Sequence, residues 1–335
     1  MIMHMKNNFL TFLIFLIIIS FVFAISPAYA AKKNKKQVHK KHQARVTASV
    51  RKPKASRQRI QTLARNPYLG AIVIDAATNK VLFEDNADAK GYPASVVKLM
   101  NFLIILEAVE AKEITLQDRI TVSAEVAAIG GSEVYLKENE VYTVDDLLYA
   151  LMVQSANDAA AALALHYKGS KEEFVRLMNK RAQDLGMKDT IFRTVNGFPP
   201  RKGLTPDVST PRDITKLCQE VLKHQNALQY TSAKQRLFRA GAQPFVIRNH
   251  NHLVRNFEGC DGLKTGYFRA AGFSIAATAT KNGNRAIAVI FGSADRRVRD
   301  AKARKLLSES LQKMDANLSP SHAFVAHEGA LSLND

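Results

Sequence analysis

Ser95-Val96-Val97-Lys98 sets a hydroxyl and an amine three residues apart. On a helix such a pair shares one face, so the amine can reach the hydroxyl. A serine hydroxyl attacks a carbonyl poorly unless a base stands beside it. Lysine, with a free pKa of about 10.4, becomes that base only when burial or a second cation lowers it. The spacing alone is weak, because it recurs at Ser49-Val50-Arg51-Lys52 and Ser310-Leu311-Gln312-Lys313. Company separates Ser95 from these two. Ser155-Ala156-Asn157 follows in a short connection between helical patterns, where Ser155 could instead cap the next helix. Lys264-Thr265-Gly266 closes a strand-like run and occurs once; its plain alternative is an edge-strand lysine before a glycine turn.

These residues need elements to hold them. Ser95–Ala111 reads as a helix with almost no polar face, and a helix that apolar belongs inside a large core. Pro93 and Ala94 lead into it, and its opening turn would offer Ser95 free backbone N–H groups and the positive dipole end, suited to an oxyanion. Upstream, Leu69–Ala76 and Lys80–Phe83 flank Ala77-Thr78-Asn79, a hairpin pattern. Residues 116–190 carry mostly helical patterns, among them Val144–Val153, Ala156–His166 and Lys171–Leu185; Asp213–Lys223 adds another. Strands return at Pro244–Arg248, Cys260–Lys264, Gly272–Thr280 and Arg285–Gly292, before a last helix, Val298–Lys313. Strands at both ends with helices between them imply one sheet built from both chain ends, plus a helical lobe.

Three weak motifs in order, each in suitable local structure, make a strong one. The chain resembles the low-molecular-mass penicillin-binding proteins, the serine D-Ala-D-Ala carboxypeptidases, which carry Ser-x-x-Lys, Ser-x-Asn and Lys-Thr-Gly. Gly130-Gly131-Ser132, Leu185-Gly186-Met187, Ser209-Thr210-Pro211-Arg212-Asp213 and Asp261-Gly262-Leu263 extend the likeness over roughly 66–314. It implies the α/β (α+β) penicillin-binding and β-lactamase-like fold, with a central antiparallel sheet flanked by helices and a mostly helical lobe. It also implies roles. Ser95 would attack the penultimate D-alanine carbonyl of a peptidoglycan stem peptide, Lys98 would take its proton, and Ser155 would relay a proton to the leaving amine. Asn157 would hold the substrate amide, while Lys264 and Thr265 would meet its carboxylate, with Gly266 completing the motif. Backbone N–H groups of Ser95 and Tyr267 would form the oxyanion hole, and Arg299 matches an arginine near the carboxylate. β-Lactams would be covalent inhibitors, and no cofactor or metal is implied. Tyr267 departs from the histidine of many relatives, but only its backbone is required.

Other readings compete. A class A β-lactamase would need a Glu-x-x-Leu-Asn loop between Ser155 and Lys264, and none is present. His250 and His252 could face one side of a strand as metal ligands, but no third ligand stands near them. An endopeptidase of cross-links stays open, since the chain ends about twenty residues after its last helix, as that branch of the family does. A catalytically silent wall-binding protein is a third class, which the intact set of five polar residues opposes.

Composition sets the outer bounds. The 335 residues carry a net charge of +18, yet 14 of the 48 Lys/Arg and none of the 30 acids lie in residues 1–65. The remainder is nearly balanced, which excludes a basic nucleic-acid reader. Lys6 precedes an uncharged run with an apolar heart at Phe9–Ile25 and an Ala28-Tyr29-Ala30 site, so residues 1–30 read as an export signal cleaved before Ala31. An uncleaved anchor is the alternative; either way the body lies outside the cytoplasm, in the periplasm or wall space. Residues 31–65 read as a basic flexible tether, either a spacer or a contact for anionic wall polymer or lipid headgroups. The catalytic domain then spans 66–314 and a tail 315–335. Cys218, on an apolar helical stripe, reads as a core thiol; whether Cys260 meets it stays open.

Overall fold

The computed structural model describes residues 60–198, 204–240 and 244–318. In chain order, β1 (Gly70–Asp75) and β2 (Val81–Asp85) form the expected hairpin, and Asn79 takes the left-handed conformation its turn requires. A 3-10 turn (Ala94–Val97) leads into α1 (Lys98–Glu110), and β3 (Arg119–Thr121) and α2 (Ala124–Ala127) follow. Next come β4 (Val141–Thr143), α3 (Val144–Tyr149), a π-turn (Ala150–Gln154), α4 (Asn157–Lys168) and α5 (Lys171–Asp184). Beyond them lie α6 (Pro211–Lys223), α7 (Ala227–Thr231), β5 (Gln235–Arg239), β6 (Phe245–Arg248) and α8 (Leu253–Asn256). The chain closes with β7 (Cys260–Phe268), β8 (Gly272–Lys281), β9 (Asn284–Ser293) and α9 (Arg296–Leu318).

Five strands make one antiparallel sheet in the order β2-β1-β9-β8-β7, so both chain ends build it. Alternation along its strands feeds two cores. Ile72, Ile74, Ile287 and Val289 face the helical lobe, where α1 lies with Leu99, Phe102, Leu103 and Ile105 wholly buried. Ala71, Val73, Ala277, Ala286 and Ala288 face the other way, onto Ala303, Leu307 and Leu311 of α9. Small alanines let that helix lie close to the sheet. Covered on both faces, these strands read as nearly continuous apolar runs. Among the described residues, no helix is long and apolar enough to cross a membrane.

Several expectations need correcting. The helix expected from Ser95 opens as a 3-10 turn, and the one expected over Val144–Val153 passes into a π-turn. The mostly helical stretch hides the antiparallel β3–β4 pair, whose three-residue strands are too short to show a period. His250 and His252 lie on no strand; they occupy the connection between β6 and α8. Leu63 and Arg65, placed at the end of the tether, donate backbone N–H groups to Ala270 and Gly292 at 2.8 Å. Those main-chain bonds fasten residues 63–65 to the sheet, so the body begins before Asn66. Its far end moves too: α9 reaches Leu318, and Asp315 accepts 2.9 Å bonds from Asn282 and Asn284. The signal, residues 31–59 of the tether and the tail beyond 318 lie outside the described residues.

Candidate active site

Ser95 sits in the 3-10 turn, where residues three apart eclipse each other. That geometry brings Lys98 Nζ to 3.1 Å from Ser95 Oγ. Nζ also donates to Asn157 Oδ1 at 2.7 Å and to the Asn196 carbonyl at 2.6 Å. An uncharged amine has two N–H groups and one lone pair, so two acceptors use its hydrogens and leave the lone pair for the Ser95 hydroxyl. Lys98 is fully buried, and burial, then the charge of Lys264, holds it well below the usual lysine range; Asp158 and Asp207 pull weakly the other way. Burial, then Arg299, pushes Lys264 itself down to about 7. The base therefore has both conditions that a lysine needs.

The second motif enters from the lobe. The π-turn ends at Ser155 in the left-handed conformation, φ 61°, a strained setting that aims a side chain where a regular helix would not. Ser155 is not the cap of α4, because Ala156 takes that place without a side-chain bond. Asn157 ties three pieces together: Oδ1 meets Lys98, Nδ2 donates to Gly130 O at 2.9 Å, and its N–H donates to Ser132 O at 2.7 Å. Gly131, at φ 97°, has no room for a Cβ, which would stand 2.6 Å from Asn157 Nδ2.

The third motif lies on β7. Gly266 lets this strand touch the serine turn, for a Cβ there would lie 3.0 Å from Ser95 N and closer still to Pro93 O. Lys264 is buried and donates to Thr265 O at 3.0 Å. Tyr267 is exposed, and its ring stacks on Phe273 at 4.1 Å. Arg299 is no solvated helix residue: it is 2% exposed, donates to Ser274 O at 3.1 Å and forks onto Asp300.

A cleft of about 370 Å³ collects Ser95, Ser132, Ser155, Thr265, Gly266 and Tyr267, with Arg299 at its cationic end. Lys98, Asn157 and Lys264 lie buried behind its lining. The structure thus brings together every residue that the motifs nominated. A larger groove, about 760 Å³, runs past Ile129, Val195 and Phe198, and its lining does not include Ser95, Ser155 or Thr265. Sequence reasoning missed two cleft residues, Phe273 and Arg296, and weighed two more, His250 and His252, only as metal ligands. It also missed the Asn196 carbonyl, which is set by Asp207: that buried carboxylate accepts N–H bonds from Arg193 and Thr194 at 2.6 and 3.0 Å. Main-chain acceptors leave no mark in residue types. Cys218 and Cys260 are both free, Cys218 in the lobe core and Cys260 in the core under α9. Burial pushes both thiols up, Cys260 to about 11.

Known proteins resemble this chain over most of its described residues. The D-alanyl-D-alanine carboxypeptidase DacF of Bacillus subtilis is 34% identical over 248 residues, covering 74% of this chain and 63% of its own length. The chain thus spans less than two thirds of that relative. The D-alanyl-D-alanine endopeptidase of Escherichia coli is 32% identical over 235 residues, covering 68% of this chain and 73% of its own. Among solved structures, ampicillin-bound penicillin-binding protein D2 of Listeria monocytogenes superposes with a TM-score of 0.65 at 28% identity. That match covers 73% of this chain and 97% of that one. Residues 62–295 match the peptidase S11 family, described as D-alanyl-D-alanine carboxypeptidase, and the chain belongs to that family.

Proposed function

We propose that this chain is a serine D-alanyl-D-alanine carboxypeptidase that trims peptidoglycan stem peptides, and that β-lactams acylate the same serine. One observation carries the reading: Lys98 Nζ stands 3.1 Å from Ser95 Oγ with its other bonds already placed. Ser95 gives its proton to Lys98 as Oγ bonds to the penultimate D-alanine carbonyl. Backbone N–H groups of Ser95 and Tyr267 receive the oxyanion. The C–N bond then breaks, and the proton passes from Lys98 through Ser155 to the leaving nitrogen. Lys264, Thr265 and Arg299 hold the terminal carboxylate through charge-assisted bonds. Water completes the cycle by hydrolysing the ester.

Cleavage of cross-links is the second reading, favoured by the endopeptidase relative, of which this chain spans the larger share, 73% against 63%. Offering a pentapeptide monomer and a cross-linked dimer at equal concentration separates the two. Free D-alanine from the monomer supports carboxypeptidase; dimer split with the pentapeptide untouched supports endopeptidase. A silent wall-binding protein would turn over neither and take no penicillin label. The export signal over residues 1–30, the basic tether reaching anionic polymer or headgroups, and work outside the cytoplasm belong to the same proposal. Its support is the apolar run, the Ala-Tyr-Ala site and the early excess of Lys and Arg. Mass analysis of exported protein tests it: a start at Ala31 is expected, and an intact Met1 would indicate a retained anchor.

A further inference from the structure

His250 lines the cleft with Ser95, Ser155 and Thr265, and no motif assigns it a task. Its backbone is held in place from three directions. The His250 N–H donates to Val153 O at 3.3 Å, two residues before Ser155. On one side, buried Asn249 donates to Thr231 O and Ala233 O at 2.9 and 3.0 Å. On the other, buried Asn251 donates to Gly262 O at 2.9 Å, two residues before Lys264. The main chain at His250 is thus fixed between the Ser155 turn and the Lys264 strand, and its side chain lines the part of the cleft assigned above to the leaving residue. Its ring is open to the cleft, and among the described residues no group hydrogen-bonds to it.

Its neighbours there are mostly cations. Protein atoms crowding the ring, then Lys264 and Lys98, push His250 down to about 4, so at neutral pH it is uncharged. An uncharged imidazole has one N–H and one lone pair. Arg296 and Arg299 offer only donors, and the His252 Nε2 stands 3.4 Å from Arg296, so beyond the serine, threonine and tyrosine hydroxyls the cleft lining has few free side-chain acceptors. A scissile amide carries one hydrogen on its nitrogen, and that hydrogen stays there as the amine departs. Left without an acceptor among cations, it would go unbonded while positive charge develops on the nitrogen.

We propose that the His250 lone pair accepts the hydrogen of the scissile amide and keeps it as the leaving amine departs. No proton changes hands at His250. The Oγ–C bond forms, the C–N bond breaks, its electron pair goes to nitrogen, and the new proton arrives through Ser155. This rests on the carboxypeptidase reading and names a further substrate contact within it.

The test uses the difference between substrates. A D-alanyl-D-alanine peptide has the hydrogen; a D-alanyl-D-lactate ester and benzylpenicillin have none at the scissile atom. Replacing His250→Ala should lower kcat on the peptide about tenfold or more. Ester hydrolysis and penicillin acylation should stay within about threefold of wild type. His250→Gln, which restores an acceptor oxygen, should recover most peptide activity. Equal losses on all three substrates would show a merely structural residue and overturn the proposal, as would a peptide rate unchanged by alanine. If the wild-type protein takes penicillin and leaves the peptide intact, the carboxypeptidase reading falls and this contact falls with it.

Discussion

Ser95 and Ser310 head the same Ser-x-x-Lys spacing in two parts of the molecule. Ser95 stands in a 3-10 turn at the start of α1, where the first N–H groups lie outside the helix ladder. Ser310 stands inside α9, whose N–H groups are committed to the carbonyls one turn back. The lysines differ more. Lys98 is sealed in the core beside Lys264, which holds its amine well below the usual lysine range, whereas Lys313 is exposed. Ser310 is itself buried, at 3% exposure, so a buried serine is not the distinguishing feature. Spacing brings an amine near a hydroxyl; burial of the amine beside a second cation makes it a base.

Breaking the Ser95 side should give the largest effects. Lys98→Met keeps the stem and removes the base, and kcat/KM for peptide hydrolysis should fall by about 10³-fold or more. Gly266→Ala comes next. Its methyl would press on Ser95 N and Pro93 O, displacing the nucleophile or β7, and a shift of that size should cost about 10²-fold in kcat with the fold intact by circular dichroism.

The pH profile sharpens the part about the second cation. Lys98 acts only when uncharged, so the acylation rate rises as pH climbs through its lowered pKa. Lys264 must be charged to attract a carboxylate, so peptide turnover should decline as pH passes about 7. Lys264→Gln removes a charge that depresses Lys98. The rising limb of penicillin acylation should therefore move to higher pH; a limb that stays in place would show that burial alone tunes Lys98. On the other side, Ser310→Ala should leave turnover and labelling within about twofold, since nothing in α9 makes that serine a nucleophile.

The same contrast marks how far the sequence could be read. Long, strongly patterned elements were legible: the β1–β2 hairpin, the apolar α1, and the late strands that return to join β1. The five polar residues were legible because side-chain chemistry is written in residue types. Short or irregular pieces were not. The π-turn that twists Ser155 toward the cleft looks like ordinary helix in Ala150–Gln154, since one extra residue per turn barely alters an apolar pattern. β5, Gln-Arg-Leu-Phe-Arg, has too few apolar residues to announce a strand. His250 drew notice only as half of a metal pair, because its place beside Ser155 is made by Asn249, Asn251 and a backbone bond to Val153. Arg299 was legible only through the resemblance, because its burial against Ser274 is made by the packing of α9 on the sheet.

The most direct measurement is the site of the penicillin adduct. Incubating the purified protein with benzylpenicillin, digesting it and mapping the added mass should place the acyl group on Ser95 alone, with Ser95→Ala unlabelled and Ser310→Ala labelled as wild type. An adduct on Ser49 or Ser310, or full labelling of Ser95→Ala, would contradict the assignment of the nucleophile.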